Sequence, residues 1–372
     1  MRIALDALLL GGPHSGVEQA IEGLARALPE VAPQHEYLLI CRREYAKRVP
    51  PGLTPFPAPS WVNDRLSRIL YEQYALPSAL RGRCDVLHAP GYIMPLRWRG
   101  PSVLTVYDLI ALQSPQYCKR SNVWHYGRML PRSLRRAGRV VVPTDAVAQV
   151  VRDRFPEVTP KLRTIPLGLD RQYRPVGPER VAELRKRLNL PDRFVLCVGN
   201  IEPKKNLAAV VQAFDMAAGC GLPHDLVLAG AWGWDYADVT RALAASAYPQ
   251  RFHLPGYVAQ ADLPALYTAA DLLVQWSLTE GMGLPPLEAM ACGTPALVSD
   301  APALVEVAGP AAQVVPLGPP EGLAEALSAL LGDQARLAEL RDRGLRHAQQ
   351  FTWERHAAAV VALYEEVAHA SG

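Results

Sequence analysis

FVLCVGNIEPKKNLAAVVQAF, residues 194–214, is the stretch whose reading decides the fold. An apolar run passes without alternation into Gly199, a polar loop carries Lys204 and Lys205, and Asn206 opens an apolar helical pattern. An unbroken apolar strand of this kind belongs in a parallel sheet covered on both faces, where neither side meets water. The unit repeats downstream. Strands DLVLAG (225–230), FHLPG (252–256), DLLVQWS (271–277) and PALVSD (295–300) alternate with helical patterns near 206–218, 235–246, 262–270, 285–292 and 302–308. Such alternation predicts right-handed crossovers and a doubly wound α/β sheet.

Upstream, RIALDAL, EYLLIC, DVLH, SVLTV, RVVVP and RTIP read as strands, with helices near 16–28, 63–80, 121–137 and 144–154. Pro131 is expected to interrupt the helix at 121–137. A chain of 372 residues exceeds one ordinary core. We therefore expect two Rossmann-like domains facing a cleft: residues 1–170, residues 171–351, and a terminal helix at 352–372 packing back on the first domain. Ligands of such sheets sit beyond the carboxyl ends of the strands.

Composition bounds the function classes. The chain is 49% hydrophobic and 20% charged, ordinary for a soluble globular protein. Its six cysteines show no metal-ligand spacing and fit a reduced, cytoplasmic compartment. Asp6 interrupts the N-terminal apolar run, so MRIALDALLLGGP reads as a first strand rather than a secretory leader. Residues 1–168 carry 23 Lys+Arg and 13 Asp+Glu, a net +10, whereas residues 169–372 carry 16 and 23, a net −7. The basic half offers a face to anionic lipid at the inner side of the membrane or to a phosphorylated acceptor; a solvated basic face without a partner is the alternative. The run 128–139, with Arg128, Arg132, Arg135, Arg136 and Arg139, is the strongest part of it. No nucleic-acid partner is expected.

Two motifs carry chemistry. In SLTEGMGLPPLEAMACGTP (277–295), Glu280 ends a strand, Gly281-Met282-Gly283 form a loop, and Leu284, Pro285 and Pro286 open a helix with Glu288 in its first turn. Loop N–H groups and a helix N-terminus suit a phosphate, and sugar and ribose hydroxyls are the expected partners of the two carboxylates. In the loop after Gly199, Lys204 and Lys205 beside a helix N-terminus form an anion site that needs no metal, with Asn206 as the expected side-chain cap.

These strings resemble the retaining glycosyltransferase family 4, whose members have the GT-B fold. The likeness extends to polysaccharide and lipopolysaccharide mannosyltransferase-type members through GAWGWDY (230–236). It implies that Glu288 binds the donor ribose, that Glu280 faces the donor sugar, and that Lys205, with Lys204, holds the diphosphate. It further implies that LPGYV (254–258), with Gly256 and Tyr257, meets the base, and that HSGVEQA (14–20), through Gly16, approaches the diphosphate and acceptor; His14 is a candidate acceptor contact. Departures are Asn200 where some relatives carry arginine, Glu18 where a second glycine often stands, and Tyr107-Asp108 where many have His-Asp. Tyrosine can donate a hydrogen bond but does not carry a proton near neutral pH. The catalytic candidates are thus Glu280, Lys205, Asp108 and Tyr107. The donor-binding candidates are Lys204, Lys205, Asn206, Gly16, Gly199, Gly256, Tyr257, Glu280, Gly281, Met282, Gly283, Leu284 and Glu288. His88 ends its strand toward the expected cleft, and a satisfied structural histidine is the favoured reading of it. Trp61 and Trp98 are read as groove or packing residues.

The expected activity is metal-independent, retaining transfer of a hexose from a nucleotide diphosphate sugar, by preference mannose from GDP-mannose, to a saccharide or lipid-linked acceptor. No cofactor is expected. The rival readings are a non-catalytic sugar-nucleotide binder or partner subunit and, at the level of fold alone, a sugar-nucleotide epimerase.

Overall fold

The computed structural model describes residues 1–11 and 16–370. The chain divides into two compact units. Unit 1 holds Met1–Gly168 with the chain from Phe351 onward, and unit 2 holds Leu169–Gln350.

Unit 1 is built on seven strands: β1 (Arg2–Asp6), β2 (Glu36–Cys41), β3 (Leu53–Pro57), β4 (Val86–Ala89), β5 (Ser102–Thr105), β6 (Arg139–Val142) and β7 (Leu162–Thr164). They pair in parallel in the order β3-β2-β1-β4-β5-β6-β7. Successive side chains point to opposite faces of a strand, and the core divides accordingly. Ile3, Leu5, Val86, Val103 and Val141 pack with Val360 and Tyr364 of the helix Trp353–His369. Ala4, Leu87, Leu104 and Val140 pack on the other face with Leu76 and Leu134. That terminal helix lies along the helix Gly16–Val31, with the Trp353 ring where a side chain on Gly23 would have to go.

Strand β3 was not expected from the sequence. Its LTPFP carries two prolines, which the sheet tolerates because β3 lies at the edge. The helix expected at 63–80 is present as a continuous helical run with a π turn inside it: Asp64 and Ser67 form a capping box for Arg65–Leu70, the π turn spans Tyr71–Ala75, and Leu76–Ala79 completes it. Arg120–Arg136 runs through Pro131 without a break, losing the hydrogen bond that an N–H at 131 would give to Gly127.

Unit 2 has six parallel strands: β8 (Phe194–Val198), β9 (Asp225–Ala229), β10 (Phe252–Gly256), β11 (Leu272–Gln275), β12 (Ala296–Ser299) and β13 (Gln313–Val315). Their order is β10-β9-β8-β11-β12-β13. In both sheets the first strand in sequence lies centrally, so the winding reverses between β1 and β4 and again between β8 and β11. A crevice opens at such a reversal, because the loops on either side lead to helices on opposite faces.

Candidate active site

The loops that leave β8 and β11, the two strands flanking the reversal in unit 2, carry both sequence motifs. After β8 the chain passes Gly199 (φ 129°), makes a 3₁₀ turn at Pro203–Lys205 and enters the helix Leu207–Gly219. Asn206 joins the two in the left-handed conformation (φ 54°, ψ 30°), and its side chain makes no capping hydrogen bond. Asn206 therefore serves as a backbone corner rather than the expected side-chain cap; asparagine tolerates this geometry better than most residues. Gly230, just past β9, has to be glycine, since a Cβ there would lie 2.0 Å from the Gly199 carbonyl oxygen.

After β11 the chain runs through Glu280 and Gly281-Met282-Gly283 into the helix Leu284–Ala291. Gly283 stands just before it at φ 78°, and a side chain there would strike Leu304. Pro285 and Pro286 occupy the first turn as expected. They remove two N–H donors from that helix end, so an anion there relies more on the loop amides. Glu288 falls in the second turn rather than the first.

The two loops are stitched together. The Leu278 N–H donates to the Lys204 carbonyl at 2.8 Å. Lys205 Nζ stands 2.6 Å from Glu280 Oε1, and Lys204 Nζ stands 3.8 Å from Glu280 Oε2. Gln275 Nε2 donates to Glu280 Oε1 at 3.0 Å. The Glu280 side chain is only 8% exposed and that of Lys205 only 15%. Burial alone would raise the Glu280 pKa; the charges of Lys205 and Lys204, with the hydrogen bonds, outweigh it and hold the carboxyl at about 2. Glu280 is thus a carboxylate at neutral pH. Gln275 Oε1 is buried without a hydrogen-bond partner among the described residues, an acceptor that a hydroxyl could satisfy.

Glu288 is handled differently. It is buried, its Oε2 accepts from the Tyr267 hydroxyl at 2.6 Å, and burial raises its pKa against the effect of that bond. Both carboxylates thus already have partners within the chain, Lys205, Lys204 and Gln275 for one and Tyr267 together with Tyr173 for the other. Of these, Gln275 and Tyr267 were missed in the sequence. Gln275 left a signal, a polar residue inside the apolar run DLLVQWS; Tyr267 left none, because it sits in an apolar helix, Leu263–Ala269. Gly256 ends β10 with φ 75° and accepts a hydrogen bond from the Gly230 N–H at 2.9 Å, while the Tyr257 side chain is exposed. The Trp232 segment returns to the lysine loop through the Gly233 N–H, which donates to the Ile201 carbonyl at 3.2 Å.

The remaining candidates belong to unit 1. Tyr107 is buried, with its ring edge-on to Tyr92 at 5.4 Å. Asp108 spends both oxygens inside the unit: Oδ2 accepts from the Tyr92 hydroxyl at 2.8 Å and Oδ1 from the Ile110 N–H at 3.1 Å. Gly16 begins its helix with no described residue within 4 Å of where a Cβ would stand, and His14 lies outside the described residues. His88 does not point to a ligand crevice. It is fully buried, with Nδ1 2.7 Å from the Tyr364 hydroxyl and Nε2 2.8 Å from Thr105 Oγ1, and so ties the terminal helix to the sheet. Trp98 is packed in the core, while Trp61 is half exposed.

Comparison with known proteins agrees with this arrangement. Residues 181–365 match the family described as "Glycosyl transferases group 1", and residues 14–173 match "Glycosyltransferase Family 4". The O-antigen chain mannosyltransferase B of Escherichia coli is 29% identical over 279 residues, covering 74% of this chain and 73% of that protein. The D-inositol 3-phosphate glycosyltransferase of Salinispora arenicola is 30% identical over 331 residues, covering 79% of this chain and 71% of that protein. Among solved structures, the sucrose-phosphate synthase of Thermosynechococcus elongatus superimposes with a TM-score of 0.76 at 21% identity, over the whole of both chains, and shares the fold. By its lysine loop, its paired glutamates and its two doubly wound sheets, the chain belongs to glycosyltransferase family 4, with the GT-B fold.

Proposed function

We propose that this glycosyltransferase moves a hexose, with retention of configuration and without a metal, from a nucleotide diphosphate sugar to an acceptor hydroxyl in the synthesis of a cell-surface polysaccharide or glycolipid. GDP-mannose is the proposed donor. The observation that carries the reading is the ionised Glu280 gripped by Lys205 and Lys204 at the reversal of the unit 2 sheet. A carboxyl held near pKa 2 does not donate a proton at neutral pH, so Glu280 is read as a hydrogen-bond acceptor for the donor sugar. The two ammonium groups and the amides of the Gly281–Gly283 loop would stabilise the charge that develops on the leaving diphosphate. Two lysines meet that charge without a metal ion.

Glu288 is read as the ribose ligand, its buried carboxylate oriented by the hydroxyls of Tyr267 and Tyr173. Gly256 and Tyr257 are assigned to the base, and Gly16 to the approach of diphosphate and acceptor. Asp108, with both oxygens engaged, is assigned to holding its loop, and Tyr107 to supporting it. The preference for mannose draws on the Gly-Trp segment and on the similarity to a mannosyltransferase. A cytoplasmic site of action is part of the same reading.

Thermal-shift titration against UDP, GDP, ADP and their common sugar conjugates tests the reading. A ligand at a hundred times its Kd stabilises the folded state by about 2.7 kcal/mol, so a selective rise with GDP and GDP-mannose is expected. Turnover of that donor, lost in Glu280→Ala and Lys205→Ala, completes the case. No shift with any nucleotide would refute the donor site. A shift without donor turnover would leave a non-catalytic binder.

A further inference from the structure

We propose that the crevice at the carboxyl ends of β1, β4 and β5 in unit 1 seats an uncharged acceptor sugar, whose hydroxyls meet Tyr107 and Asp6. It rests on the transfer reading above and adds the class of acceptor. The winding of the unit 1 sheet reverses between β1 and β4, so the loops leaving these strands flank a crevice as they do in unit 2. Asp6 ends β1, Tyr92 follows β4, and Tyr107 follows β5. Two helical segments add to it: the run from Arg65 through the π turn brings Arg68 and Glu72, and Arg120–Arg136 brings Tyr126. These groups are contiguous. Tyr107 and Tyr126 each place a ring 5.4 Å from that of Tyr92, and Glu72 pairs with Arg68 at 2.6 Å beside Asp6 and Tyr126.

Two polar tips are left over. Tyr107 is only 8% exposed, and its hydroxyl has no hydrogen-bond partner among the described residues. Asp6 is equally buried; its Oδ1 accepts from the Leu8 N–H at 3.3 Å, and its Oδ2 has no such partner among the described residues. Neither atom is sealed from solvent. A buried side chain whose unsatisfied atom still reaches solvent presents that atom to a ligand. Charge decides the class of ligand. Burial, with the Glu72 charge next, holds the Asp6 carboxyl far above the usual carboxylate range, so it keeps a proton near neutral pH and can donate as well as accept. Arg68 is matched by Glu72, and Arg42, whose Nε donates to the Leu8 carbonyl at 3.2 Å, lies near Glu72 and Asp64. Both arginines are therefore compensated, whereas a phosphate calls for cations left in excess. The basic excess of residues 1–168 is not concentrated here. Phenol and carboxyl groups beside three tyrosine rings suit the hydroxyls and C–H faces of a sugar ring.

Saturation-transfer NMR titrations of the full chain with methyl α-mannoside, methyl α-glucoside and mannose 6-phosphate test the proposal. At least one neutral glycoside should bind about tenfold or more tightly than the phosphate sugar. Tyr107→Phe keeps the ring and removes only the hydroxyl, and Asp6→Asn keeps an oxygen for the Leu8 N–H. Each should weaken the bound glycoside about fivefold, the loss of one hydrogen bond, with no loss of Tm and an unchanged nucleotide-induced shift. The proposal is overturned if mannose 6-phosphate binds as well as the glycosides, if no sugar binds, or if either variant keeps the wild-type Kd. A lower Tm in Tyr107→Phe would also overturn it, because that hydroxyl would then be holding the fold. Failure of the donor reading shows separately, as the absence of any nucleotide shift, since no nucleotide enters these titrations.

Discussion

Replacing Lys205 by methionine removes the nearest cation from a buried carboxylate and leaves the chain length of the side chain nearly unchanged. Glu280 ordinarily titrates at 4.5 and is held here at about 2. A difference of about 2.5 units corresponds to about 3 kcal/mol of preferential stabilisation of the ionised form. Breaking a buried pair costs about 3–5 kcal/mol in general. Lys204 at 3.8 Å and the Gln275 amide at 3.0 Å retain part of the stabilisation, so the lower end applies. Lys205→Met should therefore lose about 3 kcal/mol at pH 7, which for a unit of this size lowers Tm by about 6–12 °C. The folded pKa lies below the unfolded one, so the contribution is complete above pH 4.5 and disappears as pH falls toward 2. The gap between wild type and variant should accordingly narrow in acid.

Differential scanning fluorimetry of wild type, Lys205→Met, Glu280→Gln and the double variant closes the cycle. Because the double variant leaves no charge stranded by loss of its nearest partner, it should recover most of the stability lost by Lys205→Met. The nucleotide response separates the roles further: Lys205→Met should lose the shift with a nucleoside diphosphate, while Glu280→Gln, with Lys205 released, should keep it. An additive double variant, or a Tm loss below about 2 °C for Lys205→Met, would refute the coupling on which the site's electrostatics rest.

Two further outcomes are expected. Burial, with the neighbouring His356 charge, depresses His88 to about 3, and burial depresses His356 to about 4. Both bind protons more readily unfolded, so stability should fall as pH drops from about 6.5 toward 4, and His88→Leu should flatten that decline in a pH series of Tm. Gly230→Ala would push a methyl to 2.0 Å from the Gly199 carbonyl; a loss of about 3 kcal/mol or more is expected with collapse of nucleotide binding, and a variant of wild-type Tm and affinity would show that the lysine loop is not fixed there.

The sequence by itself determined the strand–helix alternation, the two doubly wound sheets and the two loops that carry the site, because those features are local. An unbroken apolar run such as FVLCV needs cover on both faces, and Gly-Met-Gly followed by Leu-Pro-Pro opens a helix wherever it lies. The partners of the carboxylates were settled only by the tertiary structure. Lys205 and Glu280 are 75 positions apart and meet because β8 and β11 are neighbours in the sheet. Tyr267 reaches Glu288 across a helix pair, and His88 finds Tyr364 only after the chain returns to unit 1. Strand β3 was hidden because its prolines argue against a strand until its edge position is known. Local periodicity reports which way a side chain must face; which charge or hydroxyl it meets there depends on packing between segments remote in sequence.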